Sequence, residues 1–327
     1  MTQSEDKNTL RFAVQDISAL KGIACQQIFD SPIDFSACDE RLRTYLHHYG
    51  FDELHKTNAV NYAMGVLHFD GMKLVGHWWR KEKAKGTVLL VHGLFDHVGI
   101  YLKIVDELLS KNYNVFSVDM PGHGLSEGPE ASINDFSDYS RVLDVCMALL
   151  INSGEKHILP MGQSTGGAGV LKYLNEGENR NVISKAVLLA PLIRPRSWWS
   201  VNLGYLLLHK FIKNVPRKFA VNSTDKVFLD FLANKDPLQP KNISVEWLRA
   251  MRKWVKEFPS VNKNTTPLLI IQGDDDLTVD WEYNLPLIQQ RFSNTRVLML
   301  PGAKHHLVNE AEFYREKINE EFARFLG

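Results

Sequence analysis

The feature that most constrains this chain is a rhythm. Six short apolar runs, at 87–91, 114–118, 157–161, 185–190, 268–272 and 296–300, are separated by stretches where apolar residues recur at helical spacing. A run of about five apolar residues without alternation is the pattern of a strand covered on both faces. Helix candidates lie at 101–110, 135–150, 167–174 and 311–325, the last with Phe313, Ile318, Phe322 and Phe325 broadly on one face. Strand and helix in alternation predict an α/β fold, a mainly parallel central sheet with helices on both faces. Asp70-Gly71 between the runs 66–69 and 72–79 predicts a hairpin ahead of the parallel part. The rhythm breaks from 192 to about 262, where helical patterns occur without a convincing strand. That predicts a helical cap inserted between two sheet strands and standing over one edge of the sheet. Residues 61–327 are read as one α/β domain, and 1–60 as an N-terminal extension of unassigned role.

Bulk properties exclude several classes. Lys+Arg and Asp+Glu both number 38, whereas a protein that grips a phosphate backbone shows a basic excess. No nucleic-acid partner is expected. The first residues lack a positive start followed by an apolar run, so no secretory leader is expected. No apolar stretch is long enough to span a bilayer. Three cysteines, Cys25, Cys38 and Cys146, are too few and odd in number for a disulfide framework. They fit a reducing, cytoplasmic setting. Twelve histidines invite a metal, but no tight Cys/His spacing and no H-E-x-x-H is present, so neither metal nor cofactor is expected.

Chemistry concentrates in four loops. Gly162-Gln163-Ser164-Thr165-Gly166 fits G-x-S-x-G. A chain of this length shows one such match by chance roughly one time in ten. Here an apolar run precedes it and a small-residue helix start, Gly166 to Gly169, follows, which is the strand–turn–helix setting a nucleophile elbow needs. His92-Gly93-Leu94 ends the run 87–91, and ligands bind at the carboxyl ends of parallel strands. In hydrolases this loop gives one backbone N–H to the oxyanion hole and the residue after the nucleophile gives the other, here Leu94 and Thr165. His92 itself reads as a brace for the loop. After the run 268–272 come Asp274, Asp275 and Asp276, any of which could orient a base, the others bracing the turn. After the last run come His305 and His306, adjacent candidates for that base. The order Ser…Asp…His is that of the α/β-hydrolases.

These loops together resemble those of monoacylglycerol lipases and bacterial lysophospholipases of the serine aminopeptidase S33 type. His92-Gly-Leu-Phe-Asp-His97-Val-Gly-Ile-Tyr101 is similar to their H-G-x-x-x-H-x-x-x-Y loop, and Asp119-Met-Pro-Gly-His-Gly-Leu-Ser-Glu-Gly128 to their D-x-x-G-H-G-x-S-E-G stretch. The likeness covers roughly residues 65 to 327. It implies the α/β-hydrolase fold, Ser164 as nucleophile, Asp276 as acid and His305 as base, and a helical lid at 192–262. One departure is the elbow, which reads G-Q-S-T-G where many relatives have G-H-S-M-G, and this bears on the shape of the acyl pocket.

The resemblance also implies the substrate class, a monoacylglycerol, a lysophospholipid or another small ester. Rivals on the same fold are short-chain carboxylesterases, thioesterases and aminopeptidase-like enzymes. A dehalogenase would need aspartate where Ser164 stands, and a non-catalytic binding module would typically have lost a triad member. The cap carries Trp198, Trp199, Tyr205 and the run 204–208 beside Arg194, Arg196, Lys210, Lys213, Arg217 and Lys218. Trp198, Trp199 and Tyr205 are its candidate substrate contacts. Apolar and basic residues together suit transient contact with a lipid surface. The alternative is a cap that packs its apolar face on the domain below.

Overall fold

The computed structural model describes residues 17–58 and 60–327. Three helices open it, α1 (Ile17–Ala24), α2 (Glu40–Tyr49) and α3 (Phe51–Asn58). The hairpin β1 (Asn61–Phe69) and β2 (Met72–Arg80) follows, then β3 (Thr87–Val91), α4 (Leu102–Ser110), β4 (Asn114–Val118), α5 (Phe136–Asn152), β5 (Ile158–Gln163), α6 (Thr165–Glu176) and β6 (Ala186–Leu189). Between β6 and β9 lie α7 (Trp198–Leu208), β7 (Asn214–Pro216), α8 (Lys226–Asn234), β8 (Asn242–Ser244) and α9 (Val245–Glu257). The chain ends with β9 (Leu268–Gly273), α10 (Trp281–Arg291), β10 (Thr295–Leu300) and α11 (Glu312–Leu326).

Eight strands form one sheet in the order β1-β2-β4-β3-β5-β6-β9-β10. Within this sheet, among the described residues, the β1/β2 and β2/β4 pairs are antiparallel and the others parallel. The hairpin register pairs Phe69 with Met72. Its two-residue turn places Asp70 and Gly71 at φ 47° and 77°, the left-handed pair a type I′ turn requires. The six apolar runs are β3, β4, β5, β6, β9 and β10, each within one or two residues of the expected limits.

Their lack of alternation has a direct cause. In β3, Val88 and Leu90 enter one core while Leu89 and Val91 enter the other. In β9, Leu269 and Ile271 face the first and Leu268 and Ile270 the second. Helices α1 to α4 and α11 cover one face, and α5, α6, α9 and α10 cover the other. In α11 the apolar face is narrower than expected. Ile318 and Phe322 are buried, but Phe313 is 59% exposed because it sits well over a third of a turn from them.

Helices α1 to α3 and their linkers are integral to the first core, which includes Leu20, Leu42, Tyr45 and Phe51. The linker residue Phe29 explains a glycine pair in the hairpin. Gly65 and Gly76 are register partners, and a Cβ on either would lie 2.5 or 2.7 Å from Phe29 ring atoms. A missing side chain in a strand here marks the approach of another residue. The segment between β6 and β9 is mainly helical but carries a short antiparallel ribbon, β7 with β8, that the sequence pattern did not reveal. Each strand has three residues, too short for a periodicity to register. Among the described residues no helix is long and apolar enough to cross a membrane. Cys25, Cys38 and Cys146 are unpaired.

Candidate active site

Ser164 sits between β5 and α6 at φ 55°, ψ −116°, a strained combination for a residue with a side chain. The turn is tight enough that the flanking glycines cannot carry side chains. A Cβ on Gly162 would lie 2.4 Å from the Gly166 carbonyl oxygen, and one on Gly166 would lie 2.2 Å from that of Val91. The serine backbone is pinned by Ser164 N–H donating to Leu189 O at 2.8 Å, and its own carbonyl accepts from Leu192 N at 3.1 Å. The strain therefore holds a hydroxyl at the carboxyl end of the sheet.

The hydroxyl lies 2.9 Å from His305 Nε2, and His305 Nδ1 lies 2.8 Å from Asp276 Oδ2. A carboxylate can only accept, so Nδ1 carries the proton and Nε2 is left to accept from Ser164 Oγ. Asp276 is fully buried and has four donors. Oδ2 accepts from His305 and from Gln272 Nε2 at 2.9 Å, and Oδ1 from the N–H groups of Thr278 and Val279 at 2.8 and 3.1 Å. Burial works against its charge, but the His305 imidazole and these donors bring the carboxyl below its ordinary value. For His305 burial also disfavours the charged ring, yet Asp276 outweighs it and raises the imidazole above 6.5.

The neighbouring acids and the neighbouring histidine have other partners. Asp274 accepts from Gly302 N at 2.6 Å and Asp275 pairs with Lys304 at 2.6 Å, so both tie the β9 turn to the loop carrying His305. His306 turns to Asp96, with Nε2 3.2 Å from Oδ2, and packs against Phe228 and Tyr101. Asp96 also accepts from Tyr101 Oη at 2.8 Å, and Tyr101 Oη accepts from Gly93 N at 3.0 Å. Despite burial, the His306 imidazole, then His92 and the Tyr101 hydroxyl, hold Asp96 well below the usual carboxylate range.

The β3 loop is braced as expected. His92 Nδ1 donates to Gly93 O at 2.8 Å while Nε2 accepts from Met120 N at 2.9 Å, a fixed neutral tautomer, and burial lowers its pKa. Asp119 Oδ1 accepts from Val98 N at 2.8 Å, and its Oδ2 from Leu125 N at 2.8 Å. The Leu94 and Thr165 N–H groups make no hydrogen bond among the described residues, and both residues line a cavity of about 250 Å³ that also contains Ser164 and His305. Unused donors beside an activated hydroxyl are what an oxyanion hole provides.

That cavity corrects the expected substrate contacts. Trp198, Trp199 and Tyr205 do not line it. Trp199 is 74% exposed, and Tyr205 stacks on His209 and lies under Arg252. The apolar wall is instead Leu192, Val201, Ile243, Trp247, Leu248 and Met251. Sequence reading missed the three α9 residues, although Trp247, Met251 and Trp254 recur at helical spacing and mark that face. Arg217, Lys218 and Asn222 add a polar side. One of the two elbow departures, Gln163, has a structural role. Gln163 Nε2 donates to His305 O at 2.9 Å, and so clips the two loops together. Among the described residues no three His, Cys, Asp or Glu side chains converge as a metal ion would require.

Comparison with known proteins gives the same picture. The profile of the family described as serine aminopeptidase, S33, matches residues 82–312. The chain is 28% identical over 259 residues to the monoglyceride lipase of Mus musculus, covering 75% of this chain and 84% of that one. It is 23% identical over 250 residues to the phospholipase YtpA of Bacillus subtilis, covering 72% and 93%. A crystal structure of a soluble variant of monoglyceride lipase from Saccharomyces cerevisiae, in complex with a substrate analogue, superposes with a TM-score of 0.70 at 21% identity, over 80% of this chain and 93% of that one. On its fold, its elbow and this family match, the chain belongs to the serine aminopeptidase S33 family of α/β-hydrolases, the family of the monoacylglycerol lipases.

Proposed function

We propose that this chain is a serine hydrolase that cleaves the ester of single-chain lipids through an acyl-enzyme. The observation that carries the reading is the continuous hydrogen-bonded path from Ser164 Oγ through His305 to Asp276, opening into an apolar-walled cavity. Ser164 Oγ attacks the ester carbonyl carbon as His305 Nε2 takes its proton. The carbonyl oxygen becomes an oxyanion held by the Leu94 and Thr165 N–H groups, which are already oriented and need no rearrangement. Asp276 stabilises the imidazolium. His305 then gives the proton to the departing alcohol oxygen. Water, deprotonated by the same nitrogen, attacks the acyl carbon, and Ser164 leaves with the proton as the carboxylic acid is released.

An aminopeptidase-like reaction fits less well. It would need an acidic group free to meet the substrate ammonium. The carboxylate lining the cavity, Asp96, is engaged by Tyr101 and His306. The apolar wall from α7 and α9 suits an acyl chain, and the segment 192–262 serves as the lid over it. Helix α7 buries none of its residues, and Trp199, Leu203, Leu206 and Leu207 are each more than half exposed. An apolar patch beside a catalytic cavity, with Phe211 82% exposed just beyond it, suits transient contact with a lipid surface. The unpaired cysteines favour a reducing compartment, the cytoplasm.

The test is fatty-acid release from a monoacylglycerol and a lysophospholipid of equal acyl chain, with Ser164→Ala as control. The proposal expects release from at least one and its loss in the variant. No release from either by folded wild-type protein would overturn the lipid reading and direct attention to short esters and thioesters.

A further inference from the structure

The basic residues of the insertion do not share one environment, and the difference points to a ligand. Arg194 is neutralised: its Nε lies 2.8 Å from Asp280 Oδ2, and its guanidinium lies over the Tyr283 ring at 3.6 Å. Arg217 is treated differently. It lines the catalytic cavity, and among the described residues its side chain has no carboxylate within ion-pair distance. The hydrogen bond it makes is to a neutral amide, Nη1 to Gln239 Oε1 at 2.6 Å. The two acids nearest to it in charge are already taken, Asp96 by His306 and Tyr101, and Asp236 by His97 and Tyr49.

Arg217 is nonetheless held in place. Its backbone N–H donates to Lys241 O at 2.9 Å beside the β7–β8 ribbon, and its guanidinium lies over the Phe95 ring, 4.4 Å from the centroid. Phe95 directly follows Leu94, the expected oxyanion donor. Burial lowers the Arg217 pKa, ahead of the opposing pull of Asp96 and Asp236, yet a guanidinium stays charged. A charge partly withdrawn from water with no carboxylate in direct contact is costly. A planar fork with free N–H groups in a cavity is the arrangement that receives a phosphate or carboxylate. Lys218, also lining the cavity and exposed, adds a second positive charge with no ion pair among the described residues.

We infer that Arg217, assisted by Lys218, is an anion subsite within the catalytic cavity, and that the preferred ligand is a single-chain lipid bearing a phosphate. The inference rests on the proposed ester-hydrolase reading for what lies beside the subsite, and on the arrangement of Arg217 itself for the charge. A released fatty acid offers the same anionic oxygens, so the test separates the two sources.

Binding is measured on Ser164→Ala protein, which removes turnover, below the micellar concentration of each probe. The probes are dodecyl phosphate, dodecanoate and the neutral 1-O-dodecylglycerol. Dodecyl phosphate is expected to bind about ten- to a hundredfold more tightly than the neutral ether, the range of hydrogen bonds to a charged group. In Ser164→Ala/Arg217→Gln that ratio collapses by tenfold or more, and in Ser164→Ala/Arg217→Lys most of it returns. An equal advantage for dodecanoate keeps the subsite and assigns it to the product acid. Equal binding of phosphate and ether, or a ratio that Arg217→Gln leaves unchanged, overturns the inference and makes Arg217 a brace between Gln239 and Phe95. A parallel assay of wild type with a lysophosphatidate and a monoacylglycerol reads the other claim. If neither ester is cleaved while the binding preference stands, the hydrolase reading fails and the subsite survives.

Discussion

Replacing Asp276 by Asn isolates the orienting role of the acid, because it removes the charge and leaves the shape. All four contacts of the carboxylate are donors directed at it: His305 Nδ1 and Gln272 Nε2 on one oxygen, and the Thr278 and Val279 N–H groups on the other. An amide must turn its NH₂ toward one of these pairs. Facing the two backbone N–H groups would leave them unsatisfied, at about 1–3 kcal/mol each. Facing His305 and Gln272 is less costly. The Gln272 Oε1, buried and without a partner among the described residues, can rotate in to accept one N–H, at the cost of the hydrogen bond that Gln272 Nε2 donates to Gly273 O at 3.0 Å. The other N–H then donates to His305 Nδ1, which must give up its proton. The imidazole shifts to the tautomer with hydrogen on Nε2, and that nitrogen no longer accepts from Ser164 Oγ. A wrong-tautomer histidine costs about 10⁴-fold in kcat in the serine-protease triad, which corresponds to about 5 kcal/mol of barrier. We therefore expect Asp276→Asn to lower kcat on a soluble chromogenic ester by about four orders of magnitude, with KM little changed and the thermal unfolding midpoint lowered, because a carboxylate held below its ordinary pKa contributes stability at neutral pH. A variant retaining more than a tenth of wild-type kcat would refute the tautomer argument.

Three further outcomes follow from the same geometry. His305 must be neutral to accept the serine proton, and Asp276 raises its pKa above 6.5, so kcat/KM should fall about tenfold per unit as pH drops below that raised value; a flat profile down to pH 4 would exclude His305 as the base. Gly166→Ala places a Cβ 2.2 Å from the Val91 carbonyl oxygen, a backbone atom with no rotamer to yield, and should cost roughly 1–3 kcal/mol or more in urea unfolding; a neutral effect would show the turn to be looser than described. Asp236→Ala leaves the buried His97 and the Tyr49 hydroxyl without their shared carboxylate, and should cost about 3 kcal/mol or more, read as a lower denaturation midpoint; an unchanged midpoint would mean that this link does not hold the insertion to the β3 loop.

Much of this architecture could be read before the fold was known, and the reasons are local. A strand buried on both faces announces itself in a short apolar run without alternation, as in Val88-Leu-Leu-Val91 of β3 and Leu268-Leu-Ile-Ile271 of β9. The elbow was legible because it needs Gly162 and Gly166 for steric reasons within a five-residue window. Choosing Asp276 over Asp274 and Asp275, or His305 over His306, needed the family resemblance, since each rival has a partner that only the fold brings near. What escaped were contacts between distant parts of the chain. Phe29 fills the space left by Gly65 and Gly76, so residues 17–58, the described part of the segment read as an extension, contribute to the core, while residues 1–16 lie outside the described residues. Asp236 reaches His97 across 139 residues, and Arg217 meets Phe95, but no periodicity encodes either pairing. Trp198, Trp199 and Tyr205 stand out as aromatic residues, yet from α7 it is Val201 that lines the cavity, beside Trp247, Leu248 and Met251 of α9.

The most direct test of the central claim is to treat the folded protein with a fluorophosphonate and map the adduct by mass spectrometry. One adduct is expected, on the peptide carrying Ser164, absent in Ser164→Ala and strongly slowed in His305→Ala. Labelling that persists in Ser164→Ala, or maps to another residue, would contradict it.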